Sequence, residues 1–228
     1  NYAIHRAVTG PSFENSFLEI KGKTNLKARF YVSASGSSGT LAAGDYLKDH
    51  LNLKIAVVEA TECPTLLYSG YGEHNIQGIG DKHVPLIHNV MNTDFVVGIS
   101  DEATNHLNMV FNTDVGKNFL NSKKGFNNNF INRLPELGFS SIANILASIK
   151  LAKYMKLGPD DAIITVATDG ADLYLTELEK TKKDFKGIYD EAACAEIYGQ
   201  FLKGVLTDHI VELNQREKER VFNLGYYT

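Results

Sequence analysis

Four short runs of apolar, mostly β-branched residues constrain the fold of this chain most: Arg29 to Ser33, Lys54 to Glu59, Asp94 to Ile99 and Ala162 to Val166. Each is nearly continuous rather than alternating, which is how strands buried on both faces of a parallel sheet read. Helical patterns separate them. The spacing predicts a helix over Asp101 to Val115, with Ser100 as N-cap and Asp101 and Glu102 in its first turn. A second helix is expected over Ser140 to Met155, where Ile142, Ile145, Leu146, Ile149 and Ala152 form one stripe and Gly158-Pro159 stops it. Alternating strand and helix predicts an α/β fold: a three-layer, open, twisted and mostly parallel sheet with helices on both faces.

Two regions break this rhythm. Residues 116–135 are rich in Asn and Lys and read as an inserted polar surface loop. From Glu177 the chain turns charged and helical; Ala193, Ile197, Phe201 and Leu202 form an apolar stripe, and Asp208 to Val221 reads as a more polar surface segment. The expected organisation is an α/β domain over residues 1–178, with a helical extension over 179–228 packed on it. A chain of 228 residues can bury a sizeable core. Its net charge of −4 points to neither nucleic acid nor an anionic membrane surface. No apolar stretch approaches the roughly 20 residues of a membrane span, and the opening Asn1 to Arg6 is not a signal-peptide pattern. Cys63 and Cys194 fit buried, reduced thiols in a cytoplasmic protein.

In open α/β sheets ligands bind outside the carboxyl ends of the strands. The first run empties there into Ser33-Ala34-Ser35-Gly36-Ser37-Ser38-Gly39-Thr40 and then a helical segment. Glycines that admit a ligand to the main chain, converging N–H groups and a helix dipole make an anion cradle. The fourth run ends in Thr168-Asp169-Gly170, which by itself reads first as a helix cap with a tight turn and second as a ligand contact. The cluster His74 to Asp81 carries Gly78 and Gly80, explained by positive φ or by close backbone approach. The seven histidines show no metal-ligand spacing, and His83 and His88 read as solvated loop residues. Neither a Gly-x-Ser-x-Gly elbow nor a Walker-type P-loop is present, and the dinucleotide fingerprint fits poorly.

Five segments in order resemble the cysteine synthase-like family, pyridoxal-phosphate (PLP) enzymes of fold type II. Ile4-His5 with Thr9-Gly10-Pro11 resembles the His…Thr-Gly-Pro-Glu stretch ahead of the phosphate loop. Gly36-Ser37-Ser38-Gly39-Thr40 with Gly44 and Tyr46-Leu47-Lys48 resembles Gly-Thr-Gly-Gly-Thr followed by Gly and Arg-Tyr-Leu-Lys. Val58-Glu59 with His74 to Gly80 resembles Val-Glu-Pro and His-Lys-Ile-Gln-Gly-Ile-Gly. Gly138 to Ala143 resembles Gly-Ile-Ser-Ser-Gly-Ala, and Thr168 with Tyr174-Leu175-Thr176 resembles Pro-Ser…Arg-Tyr-Leu-Ser-Thr. The resemblance implies the large, carboxyl-terminal domain of that fold. It implies that Gly36, Ser37, Ser38, Gly39 and Thr40 hold the phosphate of pyridoxal 5'-phosphate, with Thr168 against its pyridine nitrogen and Gly78 beside its ring. A neutral hydroxyl at the ring nitrogen suits elimination and replacement at Cβ of a small amino acid, through an aminoacrylate.

The family's Schiff-base lysine, in a Ser-x-Lys-x-Arg setting, and its substrate-carboxylate loop have no match here. Ala167-Thr168 replaces Pro-Ser, and the Glu-Arg before Tyr174 is absent. The expectation is therefore a carboxyl-terminal fragment or subunit, inactive alone, that needs the missing amino-terminal half and, by family resemblance, forms a homodimer. Two other readings stay open: a non-catalytic PLP- or anion-binding subunit, and a nucleotide-binding Rossmann-like domain.

Overall fold

The computed structural model describes residues 1–80 and 82–227. A first helical turn α1 (Tyr2–Ile4) and a π-helical turn (His5–Thr9) lead into α2 (Gly10–Lys21), then β1 (Lys27–Ala34), α3 (Leu41–Leu51), β2 (Lys54–Ala60), α4 (Thr65–Tyr68) and β3 (Phe95–Ile99). Next come α5 (Asp101–Asn112), α6 (Asp114–Ser122), α7 (Asn128–Ile131), α8 (Phe139–Tyr154), β4 (Asp161–Thr165), α9 (Leu175–Lys182) and α10 (Glu191–Ile197). A second π-helical turn (Tyr198–Lys203), β5 (Ile210–Glu212) and α11 (Gln215–Tyr227) complete the order.

The sheet runs β4-β1-β2-β3-β5. The first four strands are parallel and β5 is antiparallel to β3. The period of two divides each strand between two cores. Phe30, Val32, Ala56, Val58, Phe95 and Val97 face Leu107, Val110, Ile142 and Leu146 of α5 and α8. Tyr31, Ile55, Val57 and Val96 face Leu41 and Leu47 of α3 and Val221 of α11. Each fully buried Val, Ile, Leu or Phe contributes about 1.5–3 kcal/mol of transfer free energy, so neither face could be left bare. The three-layer, mostly parallel architecture expected from the four apolar runs is what forms.

Three expectations are corrected. The predicted helix 101–115 stops at Asn112, because Thr113 is extended and its hydroxyl accepts from Gly116 N–H at 3.1 Å, capping α6 instead. The segment 116–135 is not a polar surface loop. It is mostly helical, and Phe119, Leu120, Ile131 and Leu134 enter the core from between the Asn and Lys runs. The stretch 179–228 is not wholly helical: β5 joins the sheet, while Cys194, Ile197 and Tyr198 belong to the core. Of the stripe expected from Ala193, Ile197, Phe201 and Leu202, Ile197 is buried in the core and Phe201 and Leu202 pack half-buried against it, while Cys194 and Tyr198 add to the core from outside that pattern. A three-residue strand carries too little alternation to be read from sequence.

His88 is also corrected. It is buried and bonded through Nε2 to Thr93 Oγ1 at 3.0 Å, and burial pushes its imidazole down to about 4. Both cysteines are buried. Among the described residues no helix is long and apolar enough to cross a membrane.

Candidate functional site

The connection from β1 passes through α3 to β2 on one side, while β4 flanks β1 on the other. Strand order thus reverses between β1 and β4, and at such a switch point the carboxyl ends part into a crevice. A cavity of about 170 Å³ occupies it. Gly36, Ser37, Ser38, Gly39, Thr40, Gly78 and Thr168, all seven residues singled out from sequence, line this one cavity. His5, Ser140, Asn144 and Asp169 also contribute to its walls.

The floor is the loop from β1 to α3. Ser33 Oγ and Thr40 Oγ1 lie 2.8 Å apart, and Ser35 Oγ and Ser38 Oγ 2.9 Å apart. Burial holds the Tyr31 phenol neutral, and it donates to the Thr40 carbonyl at 3.0 Å. Thr40 therefore spends its hydroxyl on Ser33, and no side chain caps α3. The N–H groups of Ala42 and Ala43 bond back to the carbonyls of Gly39 and Thr40 at 3.1 Å, and the positive end of the α3 dipole lies behind the loop that lines the cavity, which favours an anion. Ser38 adopts φ of +62°. The family pattern has glycine there, and an L-residue in the left-handed region costs about 1–2 kcal/mol, offset by the Ser35 contact. Ser38→Val, β-branched at that φ, is expected to lose about 2 kcal/mol in urea unfolding, and Ser38→Gly to stay within about 1 kcal/mol of the parent.

The second loop, through Gly78, is pinned from two sides. Gly80 N–H donates to the Ser35 carbonyl at 2.8 Å. Asp101 accepts from the N–H groups of Asn75 at 2.6 Å and Ile76 at 3.0 Å, and burial pushes its carboxyl above the ordinary range. Gly78 (φ +80°) and Gly80 (φ +82°) both have positive φ, and a Cβ on Gly36 would lie 3.0 Å from the Gly78 carbonyl. Positive φ accounts for both glycines of this cluster; close approach holds at Gly80, where a Cβ would meet the His74 ring, but not at Gly78, where it would meet nothing within 4 Å. Asp81, the last residue of that cluster, lies outside the described residues.

Thr168 forms the opposite wall. Its Oγ1 lies 2.7 Å from Ser140 Oγ, and its N–H donates to Ser141 Oγ at 3.1 Å. It is not a helix cap; the turn that follows, Ala171–Tyr174, starts at Gly170 without a side-chain cap. Between the two walls, buried Asn144 accepts from Ala34 N–H at 2.7 Å and donates to the Val166 carbonyl at 2.9 Å, tying together the parted ends of β1 and β4. Sequence reasoning passed over Asn144 because one amide on an otherwise apolar helix carries no spacing signal. Ser140 and Ser141 were visible only as part of a motif, and Asp101 only as a first-turn acid.

Among known proteins, cysteine synthase B of Campylobacter jejuni is 30% identical over 165 residues, which takes in 72% of this chain and 48% of that one. The O-acetylserine-dependent cystathionine beta-synthase of Helicobacter pylori superposes with a TM-score of 0.54 at 27% identity, over 77% of this chain and 49% of that one. A hydrogen sulfide-producing enzyme of Fusobacterium nucleatum, whose D-to-N mutant was solved with an alpha-aminoacrylate intermediate, gives a TM-score of 0.61 at 22% identity. It covers 94% of this chain and 53% of that one, and at that identity shows the fold alone. No family model matches. The chain spans about half the length of the relatives it matches. By sequence and by fold it is related to the cysteine synthase-like, pyridoxal-phosphate enzymes of fold type II.

Proposed function

We propose that this chain forms the cofactor-phosphate-holding part of a PLP-dependent enzyme that eliminates or replaces a group at Cβ of a small amino acid. The carrying observation is the gathering of all seven expected residues around one crevice at the switch point. The donor chemistry fits PLP. Hydroxyls, glycine main chain and an uncapped helix start would hold the phosphate at Gly36 to Thr40. Thr168 would offer a neutral hydroxyl to the pyridine nitrogen. Gly78 leaves room for the ring, since a Cβ there would meet no atom within 4 Å. Bound PLP supplies the electron sink for chemistry at the substrate's Cα and Cβ.

The chain's own share is to orient and to set charge. Thr168, held by Ser140 at 2.7 Å, would offer a hydroxyl rather than a carboxylate to the ring nitrogen, which would favour the elimination and replacement chemistry named above. The phosphate is met by dipoles: among the described residues, the cavity lining contains neither lysine nor arginine. On this reading the attaching lysine belongs to another segment, the chain alone is inactive, and the complete enzyme is a homodimer of a reducing, cytoplasmic setting.

Equilibrium dialysis tests it. The chain is expected to bind PLP reversibly, with inorganic phosphate competing and Gly36→Val weakening binding at least tenfold. Borohydride treatment is expected to leave no cofactor attached. Stabilisation by NAD or ATP but not by PLP would support the Rossmann-like reading instead. Covalent trapping of PLP on this chain would overturn the missing-lysine reading.

A further inference from the structure

A second cavity, of about 350 Å³, opens at the carboxyl end of β3 and shares no lining residue with the first. Leu146 and Lys150 of α8, Thr61, Gly98 and Ser100 form one side, and the segment from Gln200 to His209 closes the other. We propose that it is a binding site for a zwitterionic amino acid with an aliphatic side chain.

Three independent features mark it as a built site. The first is Lys150, whose side chain is only 6% exposed, yet whose ammonium lies at the cavity wall. It bonds Asp208 Oδ1 at 2.8 Å and the Gly98 carbonyl at 3.2 Å. An ammonium has three donors, so these two acceptors leave one for a ligand. The second is His209, a non-glycine residue at φ +51°, strain that persists only where the surroundings hold it. Its carbonyl accepts from Gly98 N–H at 2.8 Å and its Nδ1 lies 3.0 Å from Tyr68 OH. The third is the π-helical turn Tyr198–Lys203, which brings Gln200 and Phe201 onto the wall. Gly204 N–H closes it on the Gly199 carbonyl at 2.7 Å, while Lys153 Nζ binds the carbonyls of Lys203 at 3.1 Å and Val205 at 2.8 Å. Such turns are rare and gather at functional sites.

Charge selects the ligand class. Lys150 and Asp208 form a net-neutral pair. A lone anion would leave excess negative charge beside Asp208, and a lone cation excess positive charge beside buried Lys150. A zwitterion adds neither: its carboxylate takes the remaining Lys150 donor, and its ammonium shares the outer oxygen of Asp208 with His209 Nε2, which lies 3.7 Å from it. The walls from Leu146, Phe201, Val205 and Leu206 then suit an aliphatic side chain, in a volume at the small end for ligand pockets.

The chain has no tryptophan, so Phe201→Trp places a single reporter in this wall. L-leucine is expected to change its emission saturably at millimolar concentration, on the order of 1 mM. Isocaproate, which lacks the ammonium, and isoamylamine, which lacks the carboxylate, are each expected to bind at least tenfold more weakly. Thermal shift on the otherwise unaltered chain provides a second readout. There Lys150→Met, and Leu206→Arg at a 68% exposed position where folding is not at stake, are both expected to remove the leucine-induced stabilisation. Saturating PLP is expected to leave leucine binding unchanged, which separates this site from the first. Absence of saturable binding by leucine, equal binding of the singly charged analogues, or stabilisation undiminished in Leu206→Arg would overturn the proposal.

Discussion

Asn144→Leu is expected to lower the unfolding free energy by about 2–5 kcal/mol, the largest effect of any single change near the site. The side chain is buried and of similar size to leucine, so the loss is not a cavity effect. It comes from stranding the buried Ala34 N–H and from removing the partner of the Val166 carbonyl at the half-buried cavity wall. Each buried backbone group left without a partner costs about 1–3 kcal/mol. Asn144→Asp separates the two bonds. It keeps an acceptor for Ala34, but sets a second oxygen against the Val166 carbonyl until a proton makes it a donor. Its deficit is therefore expected to shrink as pH falls, whereas that of the leucine variant is not. Urea titrations of the parent and both variants at pH 5 and 8 would measure this, and a deficit below about 1 kcal/mol in Asn144→Leu would refute the bridging role.

The second large effect is hidden in the parent and appears only when one of two residues is changed. Buried Glu59 accepts from Leu66 N–H at 3.0 Å and Leu67 N–H at 2.6 Å; desolvation nonetheless outweighs these bonds and pushes its carboxyl up to about 7. His88 is pushed down to about 4 by its burial. From pH 4.5 to 6.5 the unfolded chain holds a proton on the histidine and none on the glutamate, and the folded chain does the reverse. The two states then bind equal numbers of protons at these positions, so the pair contributes no slope of stability with pH. Alone, Glu59 has a raised folded pKa: its contribution is complete below about 4.5 and is lost as pH rises through about 7. Alone, His88 has a lowered folded pKa: its contribution is complete above about 6.5 and is lost as pH falls through about 4. Relative to the parent, Glu59→Gln should therefore gain stability as pH rises through this window, and His88→Gln should lose it, by about 3 kcal/mol each at 1.4 kcal/mol per pH unit. Difference curves from urea unfolding between pH 4 and 7.5 test both signs; parallel curves for variant and parent would refute the exchange.

The sheet was legible because burial on both faces leaves near-continuous apolar runs, and the phosphate-type loop because glycine and hydroxyl residues must follow such a strand to cradle an anion. What stayed illegible shares a physical cause. Phe119, Leu120, Ile131 and Leu134 are core residues in a polar neighbourhood, so composition hid the helices that carry them. Ile210 and Val211 pair with β3 over only three residues, and their place in the sheet depends on a partner more than a hundred residues away. His88 looked solvated because a histidine in a loop carries no local sign of whether a core will close over it. Asn144 and Asp101 act on backbone groups distant in sequence, and such bonds leave no spacing to read.

The tie between the two loops has a consequence for how a ligand would be received. With Gly80 bonded to the Ser35 carbonyl and Asp101 holding the amides of Asn75 and Ile76, the cradle is already shaped before anything enters it. Affinity is then not taxed by ordering a floppy loop, and arrival is governed by access to the crevice rather than by its assembly. The amide hydrogens of residues 75, 76 and 80 should accordingly exchange slowly in the ligand-free chain, with ligand adding little further protection.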